Sequence, residues 1–403
     1  MDTLSGADTA WILTATALVL LMTLPGLALF YGGMVRKKNV LSTLMQSFTI
    51  CCVATVVWMV IGYSLAFTEN NAFIGGIDRA FLAGMGVDSL NGTIPESLFM
   101  TFQLTFAVIT PALITGAFAD RMKFSTMIVF SALWIVLVYA PVCHWVWGPG
   151  GFLGGDGVLD FAGGTVVHVN AGIAGLVAAI VVGPRQGLGR SNFAPHNLVL
   201  TVIGASLLWV GWFGFNGGSA LGANGSAAMA VAVTHIGAAA AGLSWMAVEW
   251  FKTKRPSVLG IVTGAVGGLV VVTPAAGFIT PGGALAMGLI GGVVCYWGAT
   301  WLKHTFKYDD SLDCFGVHGV GGLVGAILTG VFASEAIGGT AGALEGNVGQ
   351  IWTQTWGVIV TLVYAGVVSY VLLKSLDVTM GLRVSEEIER DGLDLGLHGE
   401  LVP

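Results

Sequence analysis

Apolar runs of about 20 residues, the length a helix needs to cross the hydrocarbon core of a bilayer, recur from one end of this chain to the other. They fall at roughly 9–34, 40–67, 97–119, 124–143, 161–182, 197–217, 227–251, 257–275, 282–303, 314–333 and 351–376. A helix satisfies its own backbone polar groups, as lipid requires. The sequence therefore predicts an all-α polytopic membrane protein with eleven transmembrane helices. Composition agrees, because 55% hydrophobic and only 9% charged residues leave too little polar surface for a soluble class. The 61 glycines fit the same picture, since small residues let helix backbones approach closely in lipid.

Orientation follows from the basic residues, which concentrate in cytoplasmic loops. Every Lys and Arg except Arg79 falls on one face of this topology, from Arg36, Lys37 and Lys38 to Lys374, Arg383 and Arg390. That face is read as cytoplasmic, with the N-terminus out and the C-terminus in. Residues 68–96 and the Gly- and Trp-rich residues 144–160 become external loops. Residues 1–376 form the transmembrane domain and 377–400 a cytoplasmic C-terminal tail, acidic in character, which is either solvated or a docking element. Residues 401–403, Leu401-Val402-Pro403, resemble the start of an expression linker. No basic stretch precedes the first apolar run, which reads as a span and not as a cleaved signal peptide. Nothing suggests a nucleic-acid partner. Cys51, Cys52, Cys143, Cys295 and Cys314 lack metal-ligand or extracellular disulfide spacing and read as small core residues.

In this frame the costliest residues are His168 and His318. Val167-His168-Val169-Asn170-Ala171-Gly172 and Val317-His318-Gly319-Val320-Gly321-Gly322 share the pattern Val-His-x-x-x-Gly. An ionisable group at membrane depth is a functional-site candidate. The two segments belong to the fifth and tenth helices, and the odd number of crossings between them turns the second set upside down. The chain thus reads as an inverted five-helix repeat, about 9–182 and 197–333, plus one extra helix at about 351–376. Such folds place their site near the bilayer midplane at the repeat interface. Two neutral imidazoles meeting there can share a hydrogen bond and relay a proton without holding charge in hydrocarbon. A single histidine would read more simply as a satisfied core residue. His235 has no counterpart and reads as a structural or vestibule residue; His144, His196, His304 and His398 are given no role.

Aromatic residues gather at the external ends of three helices. Phe102 and Phe106 share a face at i and i+4, Trp145 and Trp147 end the fourth helix, and Trp212, Phe213 and Phe215 close the sixth just before Ser219. A generic interfacial belt accounts for some of these rings. The sharper reading is a cage that holds a small cation on ring faces, with the Ser219 hydroxyl as acceptor. Asp160 opens the fifth helix as an N-cap, and its charge also favours a cation in the outer vestibule. No zinc, nucleophile-elbow or phosphate-loop motif is present in the sequence, so no enzyme activity, cofactor or metal is expected.

These motifs carry a resemblance. Pro25-Gly26-Leu27-Ala28-Leu29-Phe30-Tyr31-Gly32-Gly33, the run from Asp160 to His168, Gly211-Trp212-Phe213-Gly214-Phe215-Asn216, Phe315-Gly316-Val317-His318-Gly319 and Gly381-Leu382-Arg383-Val384 resemble the ammonium transporter family (Amt/MEP/Rh), bacterial Amt branch. The resemblance implies an outer ammonium site at Phe106, Trp147 and Ser219 and a phenyl gate of Phe106 and Phe215, with Phe102 and Trp212 beside it. It also implies paired pore histidines at His168 and His318 and a structural carboxylate at Asp160. It further implies a homotrimer in the cell inner membrane, with a P-II signal protein docking at the cytoplasmic face. The expected activity is ammonium transport: recruitment at the cage, deprotonation, and passage of ammonia with proton relay by the histidines. Two alternatives stand beside it, an ammonium sensor with a signalling domain beyond the visible C-terminus and a gas channel of the Rh type.

Overall fold

A computed structural model of the chain describes residues 3–402. Met1, Asp2 and Pro403, the last of them part of the expected linker, lie outside the described residues. Among the described residues eleven helical segments are long and apolar enough to cross a membrane: Gly6–Met34, Lys37–Phe67, Glu96–Phe118, Phe124–Gly155, Gly164–Val182, Leu198–Gly218, Gly225–Thr253, Val258–Ala275, Pro281–Phe306, Phe315–Phe332 and Gly349–Thr379. They are numbered below as spans one to eleven. Among the described residues one small hairpin, Leu90–Asn91 against Ile94–Pro95, sits in the loop between spans two and three and turns through Gly92-Thr93.

Most span boundaries shift by a few residues, and two of the shifts have a visible cause. The sequence reading ends the fourth helix at 143, whereas helical turns continue through Ala140–Trp147. His144 there is fully buried, with its ring nitrogens 2.9 and 2.8 Å from the carbonyl oxygens of Ala66 and Asn71. Trp145 Nε1 donates to the Phe73 carbonyl at 2.7 Å. Polar atoms satisfied by a neighbouring loop let the helix run on, which a count of apolar residues does not register. The fifth span begins at Gly164 and not at 161, because Gly163 adopts φ 113° and turns the chain into the helix.

The basic loops do meet on one face, called the basic face below. Arg121 is fully buried and donates to the carbonyls of Ala117, Ala119, Gly183 and Asp309 and to Ser311 Oγ. One guanidinium thereby ties the ends of spans three and five to the loop before span ten. Arg185 pairs with Asp309 at 2.7 Å and Arg36 with Asp120 at 3.1 Å. Arg79, the exception, pairs with Glu96 at 2.9 Å on the opposite face.

The tail is not a solvated strand of acid. Glu389, buried to 1% exposure, accepts from Arg383 at 2.8 Å and from the Gln186 amide at 2.7 Å. Asp394 accepts the amides of Leu41 and Ser42 at 3.0 and 2.8 Å, capping the start of the second span. Two of its carboxylates thus serve as glue against the basic face. Spans nine and eleven, by contrast, present large apolar side chains outward, among them Leu285, Leu289, Val363 and Val367, as acyl chains require.

Candidate functional site

His168 and His318 sit in the first turns of spans five and ten, in matching wide-turn segments, Gly164–Val169 and Phe315–Gly319. Their Nδ1 atoms are 3.3 Å apart, with ring planes 14° from parallel. That contact needs a proton on one ring and a lone pair on the other. The glycine of each Val-His-x-x-x-Gly pattern explains how the rings come so close. A Cβ on Gly322 would stand 2.9 Å from His168 Cβ and 2.9 Å from the Val169 amide nitrogen, and Gly172 meets Gly319 in the corresponding way. Each glycine makes room for the backbone next to the other half's histidine.

The duplication extends to a residue that the sequence reading passed over. Asp160, eight residues before His168, accepts the amides of Gly163 and Gly164 on Oδ1 and of Thr165 and Val166 on Oδ2 at 2.6 to 3.0 Å. Asp310, eight residues before His318, accepts those of Cys314 and Phe315 at 3.0 and 2.7 Å. Both carboxylates cap the helix that carries one of the paired histidines. The shared Asp-to-His spacing is visible in the sequence, but Asp310 is flanked by Asp309 and Asp313 and looks like ordinary loop polarity. With two amide donors against four, and 1% exposure, Asp310 is the less well stabilised anion. Burial, with the nearby Asp313 charge, pushes its carboxyl up to about 6.

On the face opposite the basic one, Phe106, Trp147, Phe161, Gln103 and Ser219 line a cavity of about 170 Å³. The Trp147 ring stands edge-on to Phe106 with centroids 5.8 Å apart, and its Nε1 donates to the Asp160 carbonyl at 2.8 Å, which fixes its plane. Ser219 Oγ donates to the Phe215 carbonyl at 2.8 Å, so its lone pairs remain for a donor in the cavity. Gln103 Oε1 is a buried acceptor with no partner among the described residues. It was missed because a single amide on an apolar helix carries no pattern.

Below the cavity the rings continue inward. Phe106 and Phe215 close on each other with centroids 4.3 Å apart, and Phe102 packs edge-on against Phe106 at 5.1 Å. Trp212 stacks on His168 at 5.4 Å, 18° from parallel. A polar chain holds Trp212: its Nε1 donates to Thr273 Oγ1 at 2.8 Å, and Asn216 donates to Thr234 at 2.8 Å. On the far side, His318 lines a second cavity, of about 190 Å³, with Tyr31, Trp245, Glu249, Tyr296 and Asp313. Trp147, Phe106, Phe215, His168 and His318 thus follow one another ring to ring, with Phe102 and Trp212 packed beside them. His235 is not among them. It lies exposed on spans six and seven beside Trp209 and Phe213, 5.4 and 6.0 Å between centroids, and not in a vestibule.

A bundle of eleven spans with two cavities joined by aromatic and imidazole rings has the architecture of a membrane transporter or channel. The chain belongs to the Ammonium Transporter Family, whose sequence profile matches residues 10–402. It is 51% identical to an ammonium transporter of Bacillus subtilis over 397 residues, 98% of this chain and 97% of that protein. It superposes on the crystal structure of Saccharomyces cerevisiae Mep2 with a TM-score of 0.89 at 35% identity, covering 96% of this chain and 89% of that one. A solved sensor Amt protein gives a TM-score of 0.90 at 30% identity, covering 97% and 98%.

Proposed function

We propose that the chain imports ammonium by separating it into ammonia and a proton. The observation that carries this is the unbroken line Trp147, Phe106, Phe215, His168, His318, with neighbouring centroids 4.3 to 6.1 Å apart. A cation resting in the cage meets ring faces and the oxygens of Ser219 and Gln103. The phenyl pair below it leaves no space for a hydrated ion, and a bare charge in hydrocarbon is expensive. Neutral ammonia crosses that gate, and the proton moves separately through the hydrogen-bonded histidines. Potassium has no proton to give up and stays outside. In this reading His168, His318, Phe106, Phe215, Trp147 and Ser219 act directly on the substrate or its proton, and Asp160 positions them. Phe102 and Trp212 back the rings.

The basic face is the cytoplasmic one in this proposal, placing the N-terminus outside, and the protein resides in the cell's inner membrane. The exposed side of spans six and seven supports assembly into a homotrimer. His235 there cannot find a hydrogen-bond partner in acyl chains, Trp209 Nε1 is buried without one among the described residues, and Ser206, Ala228 and Ala232 are small. The basic face, with its folded tail, is the platform for a P-II signal protein. The likeness to a sensor keeps a sensing role as the second reading; both histidines and a complete cage favour transport.

Ammonium-evoked current in proteoliposomes is the decisive measurement. A current that needs ammonium, and that falls or admits potassium when His168→Ala and His318→Ala are combined, is the expected result. Unchanged current and unchanged potassium exclusion in that double variant would sink the relay.

A further inference from the structure

The cavity beneath His318 opens toward the basic face and, like the cage, has aromatic walls, here Tyr31, Trp245 and Tyr296. It differs in charge. Glu249 and Asp313 stand on its lining, whereas the residues lining the cage cavity include no carboxylate. By charge alone this mouth would hold an ammonium ion better than the cage does.

The structure shows these attractors already taken. Lys303 Nζ pairs with the Asp313 carboxylate and donates to the Asp310 carbonyl at 3.2 Å. Lys252 Nζ stands 5.0 Å from the centroid of the Tyr296 ring. Glu249 accepts from Ser257 Oγ at 2.8 Å and from its amide at 3.2 Å. A lysine head group is itself a primary ammonium, with the charge and N–H donors of the substrate, tied to the chain by a four-carbon stem.

We propose that Asp313 forms a second ammonium-class cation site, at the mouth on the basic face, and that the chain keeps it filled with the head group of Lys303. Substrate at this mouth competes with a tethered cation, so ammonium binds weakly from this side and does not linger after release. The idea rests on the reading that ammonia passes His318. A passive pore cannot move the equilibrium, so the effect lies in the concentration dependence on each side and not in the final gradient.

The test uses the full chain in proteoliposomes of known orientation, with ammonium added to one side at a time. Lys303→Met keeps the apolar stem and removes the charge. Its half-saturating ammonium concentration on the basic face should fall about three- to fivefold, the scale of a partly exposed ion pair, with the cage face unchanged. Lys303→Arg should behave as the parent, and Lys303→Met combined with Asp313→Asn should return to it. Asp313→Asn alone, which does not depend on the folding of the first variant, leaves the Lys303 head group without its counter-charge and should raise the basic-face value at low salt, with the cage face unchanged. Equal shifts on both faces, no shift in Lys303→Met, or tighter basic-face binding in Asp313→Asn overturns the occupied site while leaving transport intact. A parent protein without ammonium-dependent current overturns the transport reading and this site with it.

Discussion

A Cβ on Gly172 would stand 2.2 Å from the Cα of Gly319, so spans five and ten cross backbone on backbone one turn beyond His168. No side chain can yield there. Gly172→Ala should force the spans apart, cost about 1–3 kcal/mol as an overpacked contact, and break the 3.3 Å contact between the histidines. Thermal unfolding in detergent and ammonium-evoked current check the two effects separately.

Asp160→Asn removes one of two oxygens that each accept two amides. The new NH₂ group faces amide donors and leaves two of them unpaired in a buried site. A loss of about 3 kcal/mol follows from the desolvation of orphaned groups, together with loss of cage geometry, because Trp147 hangs on the Asp160 carbonyl. Denaturant unfolding measures the first, and ammonium affinity on the cage side the second.

Asp310 should show itself through pH. Its carboxyl in the folded protein titrates at about 6, above the ordinary 3.8, so the folded chain holds this proton more tightly than the unfolded one. The stability it contributes is fully present below the ordinary value and is lost as pH rises through about 6. Asp310→Asn lacks that dependence. The unfolding free energy of the parent relative to the variant should therefore fall between pH 3.5 and 7, by on the order of 3 kcal/mol. A pH-independent difference would show that folding leaves the Asp310 carboxyl at its ordinary value.

Thr273→Val keeps the shape of the side chain and removes the acceptor of Trp212 Nε1. A buried indole N–H left without a partner costs about 1–3 kcal/mol, and the ring that stacks on His168 loses its anchor. Lower thermal stability together with slower transport is expected. Unaltered transport at reduced stability would make Trp212 a packing residue only.

Arg383→Ala should release the tail, because Glu389 is 1% exposed and would be left with an uncompensated charge. Tryptic cleavage after Arg390 should speed up about tenfold, for a local docking loss of about 1.4 kcal/mol. Limited proteolysis followed by mass spectrometry reads this directly.

Much of this molecule is legible in one dimension. The eleven spans follow from the length of each apolar run, and the shared basic face from where the charges interrupt them. Arg36, Arg121, Arg185 and Arg383 all prove to be neighbours. His168 and His318 stand out because each is costly in its own segment. The end of the fourth helix differs because its polar groups are satisfied from another part of the chain: the carbonyls of Ala66, Asn71 and Phe73 let it continue to Trp147.

The sequence by itself determined what must be buried and which face each charge must reach, because transfer into lipid is paid residue by residue. Only the tertiary structure decided who meets whom. The Val-His-x-x-x-Gly rhyme acquires meaning when Gly172 and Gly322 let two backbones touch. Asp310 becomes the counterpart of Asp160 when both are seen to cap a histidine-bearing helix, and Lys303 becomes a resident cation when its head group is found on Asp313. Helix crossings set these meetings, and they depend on close contacts between residues more than a hundred positions apart, which no local pattern encodes.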